Sequence, residues 1–534
     1  MKFSIVFLIS LFTFYSKIFA QNFSYVEGDW EIKTSPTIIN AMTENTWEVY
    51  FATDDGIYIL DKMNKSISFG FSMSHNLGSN NIFHLYYDPF SDFIWTVHEN
   101  GISYKPAIGS YWTDVTIPFS PYSIQDIGST DDGIIWLDIG SRFFMLDATS
   151  GTEREPDEFT NSDFVQWGYS RFGRAGNISN KINYNLQDDL DTESRGSSFL
   201  RPAKTTLVMK DSNGNSWIGT NKGYVYLRER NSTEVKRIYF GPPIKNITTL
   251  YFDKVSSWWM GDNYFKRTGN IVNRSQSKDQ GFLYRWNEIT GEWTEYKPSD
   301  LTFSIRDINI NCLLRVDYTL FIGTLKGVIT FNILDEKWDL LIDGFVDPAI
   351  WDMVRYKDKI YLATARGIQV MSLYHSPLNK SKIPFLQSVS RTEIFDLDII
   401  DHYLYAATGE GIFKVDLANS KSIRISSEVY RSLSAVEGNL LLAKDGLWTV
   451  LDNGNIEQIY DGDVFKFAVN GKFIWITNKQ EAILFDMEKD KEMTYSHIDG
   501  IPGSVIYDID CDDNWVWFGT DDGMAIYNWS RYHK

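Results

Sequence analysis

The stretch VYFATDDGIYILD, Val49 to Asp61, holds two short hydrophobic runs joined by Thr-Asp-Asp-Gly. Each run is rich in Val, Ile, Tyr and Phe and is too short for a helix, which needs about ten residues of 3.6-period pattern. Gly56 supplies the positive φ of a tight hairpin, and Asp tolerates it. The same phrase returns as SWIGTNKGYVYL (Ser216 to Leu227), LFIGTLKGVITFN (Leu320 to Asn332) and IYLATARGIQVM (Ile360 to Met371). It returns again as LYAATGEGIFKVD (Leu404 to Asp416) and VWFGTDDGMAIYN (Val516 to Asn528). Weaker copies start at Ile134, Ser257 and Phe473, and the count reaches eleven.

The glycines act as a ruler. Gly56 to Gly101 is 45 residues, Gly327 to Gly367 is 40, Gly367 to Gly411 is 44 and Gly411 to Gly446 is 35. A period of about 40–45 residues with four short strands per unit is the range of a propeller blade. Trp112, Trp293 and Trp338 each follow a blade glycine by about a dozen residues, as an outer strand would. The expected fold is all-β: a β-propeller of about eleven four-stranded blades, whose ring form leaves short, protected edges.

The string D-x-N-G-N-x-W-I-G-T-x-x-G at Asp211 to Gly223 resembles the two-component regulator propeller repeat. The resemblance covers nearly the whole chain after its leader, although the other copies keep mainly the aromatic residue, the Thr and the Gly. It implies the periplasmic sensing regions of bacterial hybrid histidine kinases, or a free-standing secreted propeller. What such propellers bind differs widely, so the resemblance implies architecture before function.

The two ends suggest how the ring closes. The last copy leaves no room for its own outer strand, and Tyr25 to Thr34 offers an orphan one with Trp30 in the outer-strand place. The N-terminal strand, within 21–35, is therefore expected to complete the last blade. Eleven blades exceed the usual four to eight of one ring, so two propellers are expected, one inserted in or interleaved with the ring that the termini close. The expected division is a first region at 36–300 with about five blades and insertions near 152–202 and 257–280. A second region of about six blades follows at 301–534.

Met1 to Ala20 reads as a cleavable secretory signal: Lys2, an apolar stretch to about Phe14, and Ile18-Phe19-Ala20 before Gln21. Gln21 in place of Cys gives no sign of a lipid anchor, and no later run is long enough to span a bilayer. The expected location is periplasmic or extracellular. A net charge of -19 argues against nucleic acid, whose phosphates require a basic face. Cys312 and Cys511 stand in roughly comparable places of their units and read as small core residues without a disulfide.

The seven histidines make no ligand spacing, and no nucleophile elbow occurs. Asp211, Asn213 and Asn215 resemble a calcium loop only faintly and read as turn caps. Asp508, Asp510, Asp512 and Asp513 read as solvated carboxylates running into a turn, with calcium as the alternative. No catalytic residue, metal or cofactor is expected. The most distinctive local signal is a pair of matching insertions sharing F-x-R-x-G-N-I-x-N, at Phe172 to Asn180 and Phe265 to Asn273, preceded by Trp167 and Trp259. Insertions beyond a repeat often carry binding, and Arg beside aromatic rings suits anionic or sugar ligands. The candidate ligand residues are Trp167, Tyr169, Arg171, Arg174, Trp259, Tyr264 and Arg267; the alternative is that the insertions pack one propeller on the other. The hairpin turns also predict a polarised surface, acidic at Asp54, Asp55, Asp521 and Asp522, and basic at Lys222, Lys326 and Arg366.

Together these features predict an exported, non-catalytic propeller that binds or senses a protein or glycan partner, with signalling left to a separate protein. The rival readings are a polysaccharide lyase or glycosidase, which needs paired carboxylates or a Tyr–His–Arg cluster in a central funnel, and a scaffold within an envelope or secretion assembly.

Overall fold

The computed structural model describes residues 25, 28–71, 76–109, 111–156, 161–174, 204–242, 244–261, 283–296, 310–342, 345–373, 385–419, 421–436, 439–451 and 454–533. The leader segment, Tyr264, Arg267 and most of both insertions lie outside these residues. The described chain is all-β with almost no helix: eleven antiparallel sheets, nine of four strands and two of five. In chain order they are sheet 1 (39–71), sheet 2 (82–115), sheet 3 (126–154), sheet 4 (205–238), sheet 5 (249–296) and sheet 6 (310–342). Sheets 7 to 10 are 352–390, 394–426, 432–460 and 466–495, and sheet 11 is 506–527 joined by Trp30–Lys33.

The recurrent phrase is the middle hairpin of each sheet, and its Thr and Gly act together. Thr53 Oγ1 donates to the Gly56 carbonyl at 2.8 Å and accepts the Asp55 amide at 2.9 Å. Thr324, Thr364, Thr408 and Thr520 make the same pair of bonds. Gly411, at φ +116°, shows why the glycine recurs. A Cβ there would stand 2.0 Å from the Ser426 carbonyl of the outer strand.

The N-terminal strand Trp30–Lys33 pairs antiparallel with Gly523–Tyr527, and Trp30 faces Tyr527. Their rings stack at 4.4 Å. Asp29, fully buried, accepts from Arg531 and from the Tyr532 hydroxyl, tying the first strand to the last residues of the chain.

Buried clusters between sheet faces decide which sheets are neighbours. Each sheet from 5 to 11 shares a cluster with the next, from Trp259 against Ile322 to Trp475 against Tyr527. Sheet 11 then packs back on sheet 5 through Trp517, Ile526, Trp258 and Trp286. The sheet at 249–296, which the sequence groups with the first region, thus packs between sheets 6 and 11. Sheets 4, 1, 2 and 3 form a row with three shared clusters. Among the described residues no cluster joins sheet 3 to sheet 4; the free face of sheet 3 is covered by Val165 and Trp167.

The cysteines are both free, but their places differ. Cys312 stands opposite Gly323, whereas the residue opposite the equivalent Gly519 is Asp508, and Cys511 lies at the strand end opposite Val516.

Candidate functional site

Residues 161–174 run through the middle of the four-sheet row. Asn161 accepts the Asp163 amide and starts a single turn at Ser162–Phe164. Gln166–Trp167 then adds to the inner edge of sheet 3, with Trp167 opposite Gly128. Tyr169–Ser170 adds to the inner edge of sheet 1, with Tyr169 opposite Met42. Two glycines permit this docking. A Cβ on Gly128 would stand 2.4 Å from the Gln166 carbonyl, and one on Gly173 would stand 2.5 Å from the Asp126 carboxyl.

The two arginines of this segment have opposite fates. Arg174 donates its amide to Asp126 at 3.1 Å and its guanidinium to Asp138 at 3.0 Å, and it covers the Trp167 ring at 3.9 Å. Burial pushes the Asp126 carboxyl up to about 6, against the pull of Arg174. Arg174 is therefore a positioning residue that pins the segment. Arg171 lies over the Phe172 ring at 4.3 Å, and its Nε is buried with no hydrogen-bond partner among the described residues. Burial lowers its pKa, opposed by Asp54. A half-buried cation that lacks a paired acceptor retains most of its desolvation cost.

Exposed aromatic rings lie on the same segment as this guanidinium and on the link between sheets 2 and 3. Phe164 is 74% exposed, Tyr122 68%, Phe172 45% and Tyr169 37%. Phe83 links Tyr122 at 4.9 Å to Phe172 at 6.1 Å. His84 beneath them is buried and bonded to the Ile124 carbonyl, and burial lowers it to about 4, which leaves it neutral. Tyr122 and Phe83 lie outside the repeated phrase, and only their ring contacts in space mark them.

Of the expected ligand residues, Trp167, Tyr169, Arg171 and Arg174 lie on the described segment, where Arg174 covers Trp167. Trp259 is a correction. It is fully buried between sheets 5 and 6, with Nε1 donating to Asp253 at 3.3 Å, because the second strand of a sheet sends alternate residues into the neighbouring interface. Tyr264 and Arg267 lie outside the described residues.

A second polar array lines the inner strands of sheets 7 to 11. Asp352 accepts the Leu397 amide at 3.0 Å, and Asp396 accepts the Leu433 amide at 2.9 Å and the Ser432 hydroxyl at 2.7 Å. Asp398 accepts the Ala435 amide at 2.7 Å, and Asp508 the Leu250 amide at 2.8 Å. Each bond crosses to the next sheet, so these side chains are latches between blades. Lys466, 3.7 Å from Asp508, sits among them and is raised chiefly by that carboxylate. Burial and the Asp396 charge raise Asp352. Asp508 and Asp510 are accordingly half-buried rather than solvated; burial and Asp508 push Asp510 up to about 6. Asp512 caps its turn through the Asn514 and Trp515 amides, and Asp211 accepts the Asn215 amide and the Trp217 indole N–H. No group of three or more potential metal ligands occurs among the described residues.

The acidic turns do not form an open face. Asp54 accepts the Thr37 and Ile38 amides, Asp521 accepts those of Ser504 and Val505, and Asp522 pairs with Lys245 at 2.8 Å. Lys222, Lys326 and Arg366 are exposed.

No protein family and no curated protein matches this chain. Among solved structures, it is similar to the extracellular domain of a proposed hybrid two component system of B. thetaiotaomicron, at 14% identity and TM-score 0.43, over 91% of this chain and 70% of that one. A second such extracellular domain from B. thetaiotaomicron matches at 15% identity and TM-score 0.39, over 92% and 68%. PorZ, a surface component of the type-IX secretion system of Porphyromonas gingivalis, matches at 13% identity and TM-score 0.43, over 92% and 73%. No described helix is long and apolar enough to cross a membrane.

Proposed function

We propose that the protein is an exported, non-catalytic propeller module that binds or senses a protein or glycan partner in the bacterial envelope. Its leader is Met1 to Ala20. The module comprises two propeller units that divide near residue 240 rather than 300: sheets 5 to 11 as a seven-blade ring, and sheets 1 to 4 as a shorter unit inserted after the ring-closing strand. The buried clusters of sheet 5 with sheets 6 and 11 support that division.

The ligand face is the mouth of the four-sheet unit, and one observation carries this reading. Arg171 is a half-buried cation whose Nε is buried without a hydrogen-bond partner among the described residues, and it lies over the exposed Phe172 ring. Aromatic rings offer flat apolar contact at small entropic cost, and a guanidinium adds direction. The throat aspartates are taken up as amide acceptors, which supports the non-catalytic reading.

The test is a glycan array and a pull-down from envelope extract, run with the wild-type protein and with Arg171→Met. Capture by wild type that falls at least tenfold in the variant supports this face. Equal capture by both moves the ligand elsewhere. Turnover of a polysaccharide by the wild-type protein would replace the binding reading with the enzymatic one.

A further inference from the structure

The chain passes twice between the four-sheet row and the seven-sheet cycle, and both crossings lie in one tight seam. The outgoing link follows Trp30–Lys33 and the returning link precedes sheet 5. The Ser35 hydroxyl donates to the Pro242 carbonyl, joining the two. Three glycines let the outgoing backbone through. A Cβ would stand 1.7 Å from the Pro36 carbonyl at Gly223, 2.2 Å from the Thr34 carbonyl at Gly241 and 2.4 Å from the Lys33 carbonyl at Gly523. The returning link is held by Gly523 N–H to Lys245 O at 2.7 Å and Ile247 N–H to Thr520 O at 2.8 Å.

Charge is concentrated at this seam. The Asp54-Asp55 turn of sheet 1 and the Asp521-Asp522 turn of sheet 11 meet there. The groups facing Asp55 are Asp54 on its own turn, Tyr58 on the following strand, Thr34 on the outgoing link, Asp522 on sheet 11 and Lys245 on the returning link. The Asp54 charge also acts on Arg171. Thr34 Oγ1 and the Tyr58 hydroxyl are hydrogen-bonded at 2.5 Å, and both residues are fully buried. Asp55 Oδ2 is buried with no hydrogen-bond partner among the described residues. One ammonium, Lys245, stands among three carboxylates and is already paired with Asp522.

We infer that this seam is a pH-gated clasp: an uncharged Asp55 lets the two acidic turns close on the glycine-lined link, and a charged Asp55 drives them apart. The inference rests on the two-unit reading proposed above. Burial, then Asp522 and Asp54, raise the Asp55 carboxyl to about 7 against the pull of Thr34 and Lys245. The closed seam therefore binds a proton that the open seam releases. Closure is favoured in acid and weakens as pH rises through about 7.

Hydrogen exchange of the full chain tests this through the Thr37 and Ile38 amides of the outgoing link, which donate to Asp54 on the sheet 1 turn, each referenced to its intrinsic rate. With a carboxyl near 7 when closed and about 3.9 when open, the open fraction rises up to about 30-fold between about pH 5.5 and 8.5. Asp55→Asn, the nearly isosteric uncharged form, should flatten that change. Asp522→Asn, which removes one repelling charge, should move its midpoint to lower pH. A wild-type-like pH response in Asp55→Asn, or an unmoved midpoint in Asp522→Asn, overturns the clasp. Seam amides that exchange only with global unfolding at both pH values would instead overturn the two-unit reading. Seam opening below the global limit but independent of pH would overturn the clasp alone.

Discussion

The seven sheets of 249–527 and the four of 39–238 are built from the same repeat, yet they finish differently. In the seven-sheet cycle every sheet has two packed faces, and seven clusters serve seven sheets. Closing it takes one strand borrowed from the other end of the chain. In the four-sheet row, among the described residues, three clusters join four sheets, and a segment outside the repeat, 161–174, adds to the inner edges of sheets 1 and 3. A closed cycle spends its polar inner strands on latches between blades. In the row, the described residues include exposed rings and a half-buried cation, and the candidate site is proposed there.

The largest effect that would break this comparison concerns closure. Trp30→Ala removes a ring stacked on Tyr527 and packed within the cluster between sheets 10 and 11. It should cost about 3–5 kcal/mol in chemical denaturation, and deletion of 25–34 should cost more by exposing an edge. Unchanged thermal stability in either variant would mean that the cycle does not depend on its borrowed strand.

The latches come next. Asp396→Ala leaves the Leu433 amide and the Ser432 hydroxyl without their acceptor. The expected loss is about 1–3 kcal/mol. Asp352→Asn should be milder, because burial and Asp396 already favour the uncharged form of Asp352. Equal losses in the two would show that the pair is held charged.

The pin of the four-sheet row titrates. Asp126 has a folded value of about 6 against about 3.9 when unfolded. The folded state thus holds the extra proton, and this group's stabilising contribution falls as pH rises from about 4 to about 6. Asp126→Asn should remove that component from a stability-versus-pH series, and a curve of unchanged slope would contradict it. Arg174→Met should cost about 1–3 kcal/mol by leaving Asp126 short of a partner.

Arg171→Met should change stability least, within about 0.5 kcal/mol, since its Nε has no hydrogen-bond partner among the described residues. A loss as large as that of Arg174→Met would make Arg171 structural and remove the contrast on which the candidate site depends.

Much of the fold is legible in the residues because its determinants are local. Thr53 and Gly56 lie three residues apart and complete their hydrogen bonds within one turn, so the phrase announces the hairpin wherever it occurs. The period then gives eleven sheets, and the orphan Trp30 announces a strand in search of an edge. The candidate site was half legible. Trp167 and Trp259 precede the same motif at similar distances, yet Trp167 lies at a strand edge over Arg174 while Trp259 is sealed between two sheets. Equal spacing could not separate them, because the deciding contacts come from residues such as Ile310 and Phe331, far along the chain.

By itself, the sequence determined the hairpins, the number of sheets and the strand left over for closure, all of which follow from hydrogen bonds and side-chain alternation within about forty residues. The tertiary structure alone decided which sheets are neighbours, where the cycle closes and which arginine stays unpaired. Those outcomes depend on how apolar faces distant in sequence fit against one another, and a face left unmatched carries no mark in the local pattern. Asp55 shows the same limit: its sequence is that of an ordinary turn, and its buried seam exists because Gly223, Gly241 and Gly523 come together around one crossing of the chain.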